Sequence, residues 1–243
     1  MGRHNTIAGR KAAQDSKRAA VFTKYARLIT VAAKAGGDPD YNPSLRTAID
    51  KAKAAGLPND NITRAIKKGT GELEGESYEE LTFEGYGAGG VAIFIEAATD
   101  NRNRTAADVR HLFDKFNGSL GTSGSVTYMF DYKGVVIVVK NDKATEDAVM
   151  MTALDSGADD VINDEDCFEV VCKPELIHAV GKAFEEGGYE ITSSEVQYVP
   201  QNTLTLDRDR AISINKLIVA LDDLDDVQNV YSNADLSVLD EEE

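Results

Sequence analysis

Lysine and arginine side chains are concentrated at the start of the chain. Residues 1–71 contain 14 of them against 5 Asp or Glu, a net charge of +9, whereas the whole chain of 243 residues carries −16. A cationic segment in an acidic protein is typical of a surface that binds a phosphate-rich partner. Each cation that approaches a nucleic-acid backbone adds salt-dependent affinity. The chemistry predicted from these residues is therefore the binding of phosphate groups.

The candidate contacts with nucleic acid fall into three groups: an opening arm with the first predicted helix, the next two helices, and a loop at residues 100–105. In that loop, backbone N–H groups at a helix N-terminus would also favour phosphate. The candidates are Arg3, His4, Arg10, Lys11, Lys17, Arg18, Lys24 and Arg27, then Lys51, Lys53, Arg64, Lys67 and Lys68, and finally Arg102 and Arg104. The alternative for the helices is a solvated face, and for the loop a capping turn.

No strong catalytic motif accompanies these cations. The glycine-rich run at 85–90 leads into a predicted strand rather than a helix, so a hairpin turn is favoured over a pyrophosphate cradle. His4, His111 and His178 lie in three different segments without ligand spacing. We therefore predict no catalytic residue, no metal site and no cofactor.

Two further clusters have structural interpretations. Asp222, Asp223, Asp225 and Asp226 resemble a cation site only superficially, because the spacing of a calcium loop is absent, and a solvated turn is predicted. The cysteines of the run CFEVVC (167–172) point to opposite faces of a predicted strand, so they cannot pair with each other. Two cysteines in a chain without a secretory signal indicate a reducing compartment. The lack of a long apolar run predicts no membrane span.

Three predicted helices must position the basic residues. The first covers 10–35, the second follows Asn42 and closes at Gly56, and the third starts near Pro58 and ends at Gly69. Apolar residues of the first helix recur at helical spacing and form a stripe about 120° wide, opposite Lys24, Arg27 and Lys34. The stripe comprises Val21, Phe22, Tyr25, Leu28, Ile29 and Ala32. The segment before it is charged all round and is expected to project as an arm.

The periodicity changes after a polar linker at 71–77, which is predicted to be a hinge. Strands are expected at 81–86, 91–98 and 124–131, with a helix at 104–116. A βαββαβ order then follows between 134 and 200, which is typical of the ferredoxin-like arrangement. The predicted fold class is α+β, with a helical domain at 1–77, a discontinuous α+β domain at 78–133 and 201–243, and an inserted ferredoxin-like domain at 134–200.

Four long segments resemble the YebC family: RKAAQDSKRAAVFTK (10–24), GGDPDYNPSLRTAIDKAKAAGLPNDNITRAIKKGTGE (36–72), NRTAADVRHLFDKFNGSLGTSGSVTYMF (103–130) and LDDLDDVQNVYSN (221–233). The family includes bacterial proteins named as transcriptional regulators and a mitochondrial translational activator. The resemblance implies a three-domain α+β protein, a cytoplasmic location and no enzymatic activity. The opening residues depart from it, since they lack a tryptophan that relatives often carry in a Gly-His-Ser-Lys-Trp stretch.

Two functions are compatible with this pattern. The resemblance implies a translation factor that binds ribosomal RNA, and also tRNA, and helps the ribosome through difficult sequences such as proline-rich stretches. The alternative is a regulator that binds promoter DNA through a recognition helix at 59–68, although that helix has few side chains that read bases bidentately. A third interpretation is a scaffold whose acidic domains bind a protein partner.

Overall fold

The computed structural model describes residues 7–75, 77–164 and 166–239, with the side chains of 7–18 left out of that description. The chain divides into two compact units. One combines the segments up to Thr127 and from Leu204, and the other is the single segment Tyr128–Thr203. The segments on both sides of the boundary predicted between residues 77 and 78 belong to the first of these units.

The first unit begins with three helices that share one apolar core. They are α1 (Ile7–Ala32), α2 (Pro43–Ala54) and α3 (Asn59–Gly69). The predicted stripe of α1 faces this core except at Val21, which is 41% exposed. Ile29 is fully buried against residues of α2 and α3. Gly69 permits close helix packing, because a Cβ atom there would lie 2.3 Å from the carbonyl oxygen of Thr30.

A four-stranded antiparallel sheet completes this unit, in the order β3-β1-β2-β9. Its strands are β1 (Glu79–Tyr86), β2 (Ala92–Thr99), β3 (Ser119–Leu120) and, much later in the chain, β9 (Val227–Ser232). Helices α4 (Arg102–Lys115) and α7 (Arg208–Asp222) bury their apolar faces in a core that includes Ile93 and Ile95 of β2. Two short parallel strands, β8 (Leu204–Thr205) and β10 (Ala234–Asp235), pair separately.

The glycine-rich run at 85–90 forms the hairpin between β1 and β2, as predicted. Gly89 and Gly90 adopt φ values of +76° and +82°, a region that side chains other than glycine rarely occupy. The linker at 71–77, predicted as a hinge, is contacted at its end by Lys34, which lies in the short turn after α1. The Lys34 ammonium group donates to the Ser77 hydroxyl (3.5 Å) and to the carbonyl oxygen of the next residue, Tyr78.

The strand predicted at 124–131 is wrong over most of its length. Residues 121–126 form a loop, and a single 3-10 turn (Thr127–Met129) precedes the strand that starts at Phe130. The cause is Glu84, a residue only 4% exposed. Its carboxylate accepts hydrogen bonds from the backbone N–H groups of Gly124 (2.7 Å), Val126 (2.7 Å) and Thr127 (2.9 Å), so these donors are not available to a strand ladder.

Replacing Glu84 should loosen this loop in a pH-dependent manner. Burial alone would raise the pKa of Glu84, but the three N–H donors outweigh it and hold the pKa below the ordinary value. Glu84→Gln keeps the shape, loses the charge and should cost about 1–3 kcal/mol at neutral pH. Because the folded pKa is the lower one, the wild-type advantage should be complete well above pH ~4 and disappear as the pH falls through the folded pKa.

Urea unfolding of both proteins between neutral and acidic pH measures this difference. Glu80→Gln is the matched control, since Glu80 is an exposed residue of the same strand. A pH-independent difference between wild type and Glu84→Gln would contradict the assignment of the effect to the carboxylate.

The second unit is an antiparallel sheet with two helices. Its elements are β4 (Phe130–Val139), α5 (Glu146–Ser156), β5 (Asp160–Asn163), β6 (Cys167–Cys172), α6 (Ile177–Glu186) and β7 (Ile191–Pro200). The strand order β5-β6-β4-β7 with this βαββαβ succession is the ferredoxin-like arrangement. Strand β4 is continuous across the domain boundary predicted between residues 133 and 134, because it pairs with β7 from Phe130 to Val138.

The α+β class with an N-terminal helical region and two sheets is confirmed. Cys172 is buried and Cys167 half-buried, and both thiols are free. Within the described ranges, no helix has the length and apolar character that crossing a membrane requires.

Candidate nucleic-acid interface

The outer face of α3 carries three exposed cations. The helix turns Ile62 and Ala65 inward, so Arg64, Lys67 and Lys68, spaced three and four residues apart, share the opposite side. All three are exposed. In the part of the chain that the structure describes, none of them forms an ion pair. Lys67 and Lys68 also lie in the last turn, where a cation is favoured by the helix dipole.

Helix α2 carries a further exposed cation. Its N-terminus is held by Asn42, whose side chain accepts from the Leu45 N–H (3.1 Å) and donates to the carbonyl oxygens of Ala32 and Gly36 (2.8 Å each). At the other end, Lys53 is exposed and Lys51 half-buried. We define the exposed cationic surface as Lys53, Arg64, Lys67 and Lys68.

Six predicted contacts of the opening arm have side chains outside the described part of the chain. Arg3 and His4 precede the described residues, and the side chains of four others are outside the description although their backbone belongs to α1. Those four are Arg10, Lys11, Lys17 and Arg18. Their role in binding stays a prediction.

Lys24 and Arg27 are engaged inside the protein instead of facing solvent. The Lys24 ammonium group lies 3.0 Å from a carboxylate oxygen of Asp222, and the Arg27 guanidinium lies 2.5 Å from one of Asp226. Arg27 also donates to the carbonyl oxygen of Asp225 and lies over the ring of Tyr78, 5.3 Å from its centroid. The two side chains are only 19% and 13% exposed. They connect α1 to the last residue of α7 and to the segment between α7 and β9.

The loop at 100–105 is a capping turn, one of its two predicted alternatives. The Asn101 side chain caps α4 by accepting from the Arg104 N–H (3.1 Å). Arg104 is held by two carboxylates, those of Asp100 at 2.7 Å and Asp226 at 2.9 Å. Arg102 is 64% exposed and lies 3.4 Å from Glu79, a weak surface pair. Arg102 is thus the more accessible cation of this loop.

Asp226 joins these segments, and the prediction that it belongs to a solvated turn is wrong. Its side chain is 9% exposed and lies between Arg27 and Arg104. It also accepts hydrogen bonds from the hydroxyls of Thr105 (2.7 Å) and Thr99 (3.2 Å). Burial alone would raise the pKa of Asp226. The hydrogen bonds from Arg104 and Thr105, together with the charge of Arg27, hold this pKa below the ordinary value.

The sequence analysis did not predict that Glu84 is buried and organises a loop, and it wrongly predicted that Asp226 is solvated. A lone carboxylate in a strand, or one acid among four, carries no periodic signal of burial. The histidines predicted to have no ligand role, His111 and His178, are exposed. In the described ranges, no group of three or more His, Cys, Asp or Glu side chains could hold a metal ion.

Two family models match this chain. The model of the TACO1/YebC protein N-terminal domain matches residues 2–72, and that of the TACO1/YebC second and third domain matches residues 78–234. The first match contains the three helices and the exposed cationic surface.

Relatives and a solved structure agree with this match. A "probable transcriptional regulatory protein" of Acetivibrio thermocellus is 51% identical over 229 residues, 93% of this chain and 95% of the relative. A protein of Geobacter sulfurreducens with the same description is 51% identical over 241 residues, covering 98% and 97%. The crystal structure of a conserved hypothetical protein from Aquifex aeolicus superposes with a TM-score of 0.81 at 43% identity and covers 91% of each chain.

Proposed function

Since this chain belongs to the TACO1/YebC family, we propose that it is a non-catalytic protein that binds a nucleic-acid backbone through its N-terminal helices. We propose further that its partner is RNA of the ribosome, together with tRNA. In this role it would assist elongation through difficult, proline-rich sequences. Its binding surface would comprise the exposed cationic surface together with Arg102, Lys51 and the basic residues of the opening arm.

The observation that carries this proposal is the uncompensated cationic face of α3. Arg64, Lys67 and Lys68 are exposed and carry no internal ion pair among the described residues, whereas Lys24, Arg27 and Arg104 do. Cations left unpaired on one helix face can approach consecutive phosphates together. The acidic remainder of the chain repels a polyanion, so this face determines the orientation of binding.

The placement of the cations on α3 favours backbone binding over base reading, although its first turn also carries the exposed side-chain amides of Asn59 and Asn61. Bidentate readout of adenine needs Asn or Gln, and readout of guanine needs Arg or Lys directed into the major groove. Lys67 and Lys68 lie in the last turn of α3, and the C-terminal end of a DNA-recognition helix typically contacts the backbone while its N-terminal part reads base edges. An RNA partner recognised by its backbone and shape fits this pattern.

Co-sedimentation with ribosomes tests the proposal. At moderate salt the protein should pellet with ribosomes and leave them progressively as the salt concentration rises, because phosphate contacts release counterions. Loss of ribosome binding at moderate salt, combined with nuclease protection of one defined promoter sequence, would contradict the RNA assignment.

The second candidate is a DNA-binding transcriptional regulator, and the names of the curated relatives favour it. It uses the same cationic surface on a different polyanion. Footprinting across a set of promoter fragments separates the two, because a transcriptional regulator protects one sequence at a concentration that leaves the others unprotected.

A further inference from the structure

An apolar patch lies on the outer face of α5, in the compact unit Tyr128–Thr203. Met150, Met151 and Leu154 are 39%, 67% and 69% exposed. The opposite face of α5, with Val149 and Ala153, already packs into the core of this unit. At ~100° per residue, the three outward side chains fall within an arc of about 100°. Helix α5 is therefore apolar on two faces, and the described residues cover only one of them.

The surroundings of this patch are strongly acidic. Residues 128–203 contain 16 Asp or Glu against 5 Lys or Arg, a net charge of −11. Asp147 and Asp155 lie one helical turn on either side of Met151, and both are exposed. A surface of this charge repels phosphate groups, so the proposed binding of nucleic acid does not use it.

We propose that the outer face of α5 binds an amphipathic basic helix of another protein. The apolar stripe of that helix would cover Met150, Met151 and Leu154, while its flanking Lys and Arg residues would pair with Asp147 and Asp155. Unbranched methionine side chains adapt to different apolar partners, and helix-to-helix recognition of this kind needs anchors spaced three and four residues apart. Complementary charge directs the approach and fixes the orientation.

A second copy of this chain fits the patch less well. A symmetric dimer through α5 would bring two identical acidic rims together, and their repulsion opposes association. The basic helix α1 of another copy is also a poor occupant, because its apolar stripe, including Ile29 and Leu28, already packs in the helical core. A basic helix from a different protein can supply both a charge opposite to that of the acidic rim and an apolar stripe that is not already packed.

A synthetic helix of Leu and Lys tests the proposal with the full chain. The peptide carries Leu along one face over about five turns and Lys on its flanks, and a permuted peptide of identical composition lacks the apolar face. Titration followed by NMR should show shifts centred on α5 with the amphipathic peptide. The permuted peptide should bind at least about tenfold more weakly.

The double variant Met151→Glu/Leu154→Glu separates apolar docking from simple charge attraction. Two additional carboxylates should tighten binding of a cationic peptide if charge alone acts, whereas loss of the apolar anchors should weaken it at least about tenfold. Val219→Glu is the control, because Val219 is 52% exposed on α7 in the other compact unit.

Tighter binding by the double variant would overturn the proposal, as would shifts centred away from α5. Sedimentation of the protein alone should show no self-association through this face. If the wild-type protein dimerises and the double variant does not, the occupant of this face is a second copy of the chain. That result would also overturn the proposal. Circular dichroism of each variant verifies that the helices are intact.

Discussion

Asp226→Asn should lower the free energy of unfolding of the first compact unit by about 3–5 kcal/mol. The substitution keeps the size of the side chain but removes the charge that balances Arg27 and Arg104. Arg27 is 13% exposed, so its guanidinium would be left inside the protein without a counter-ion. An uncompensated buried charge costs far more than an exposed pair contributes.

Hydrogen exchange of backbone amides measures this effect in each unit separately. Protection should fall in α1, α4 and β9, while the unit Tyr128–Thr203 serves as an internal reference. Asp223→Asn is the matched control, since it makes the same change of charge at an exposed residue three positions away. Equal protection in the two variants would show that the Arg27–Asp226–Arg104 cluster does not hold these segments together.

The triple variant Arg64→Ala/Lys67→Ala/Lys68→Ala should lose at least about a hundredfold in affinity for nucleic acid at moderate salt. The three side chains are exposed and make no ion pair within the described chain, so their removal should leave stability nearly unchanged. The dependence of log affinity on log salt should become shallower by about 2–3, because up to three phosphate contacts disappear.

A control with the same change of net charge isolates the contribution of position. Arg110, Lys173 and Lys182 are exposed and lie outside the three N-terminal helices, and their combined replacement by Ala should leave the salt dependence close to that of wild type. If both triple variants lose affinity equally, net charge and not the face of α3 governs binding. Equal loss on all nucleotide sequences would indicate backbone contacts, as proposed.

Much of the fold follows from local patterns in the sequence. The period of apolar residues in α1 predicted a buried position for Ile29, and the strand predicted at 167–172 coincides with β6. Pro43 and Gly69 marked the start of α2 and the end of α3, because each has a backbone preference that acts over one or two residues.

The errors came from side chains whose partners are distant along the chain. Arg27 and Asp226 are separated by 199 residues, and no local pattern reveals that they meet. Glu84 reorganises a segment about 40 residues later by occupying its N–H donors. The same limitation affects the candidate interface, since a cation on the polar side of a helix is predicted to be solvated whether or not a carboxylate approaches it.

The order of the strands has a consequence for synthesis of the protein. The unit Tyr128–Thr203 is one continuous segment, whereas the other unit lacks both the β9 edge of its sheet and the Asp226 counter-ion until the last part of the chain has emerged. The unit Tyr128–Thr203 can therefore fold first on the nascent chain, although part of the other unit is synthesised before it. Until β9 has been synthesised, the edge of β2 that pairs with it remains unpaired. Premature termination just before Val227 would release a polypeptide in which the unit Tyr128–Thr203 is folded and the other unit, with an unpaired β2 edge, is prone to aggregate.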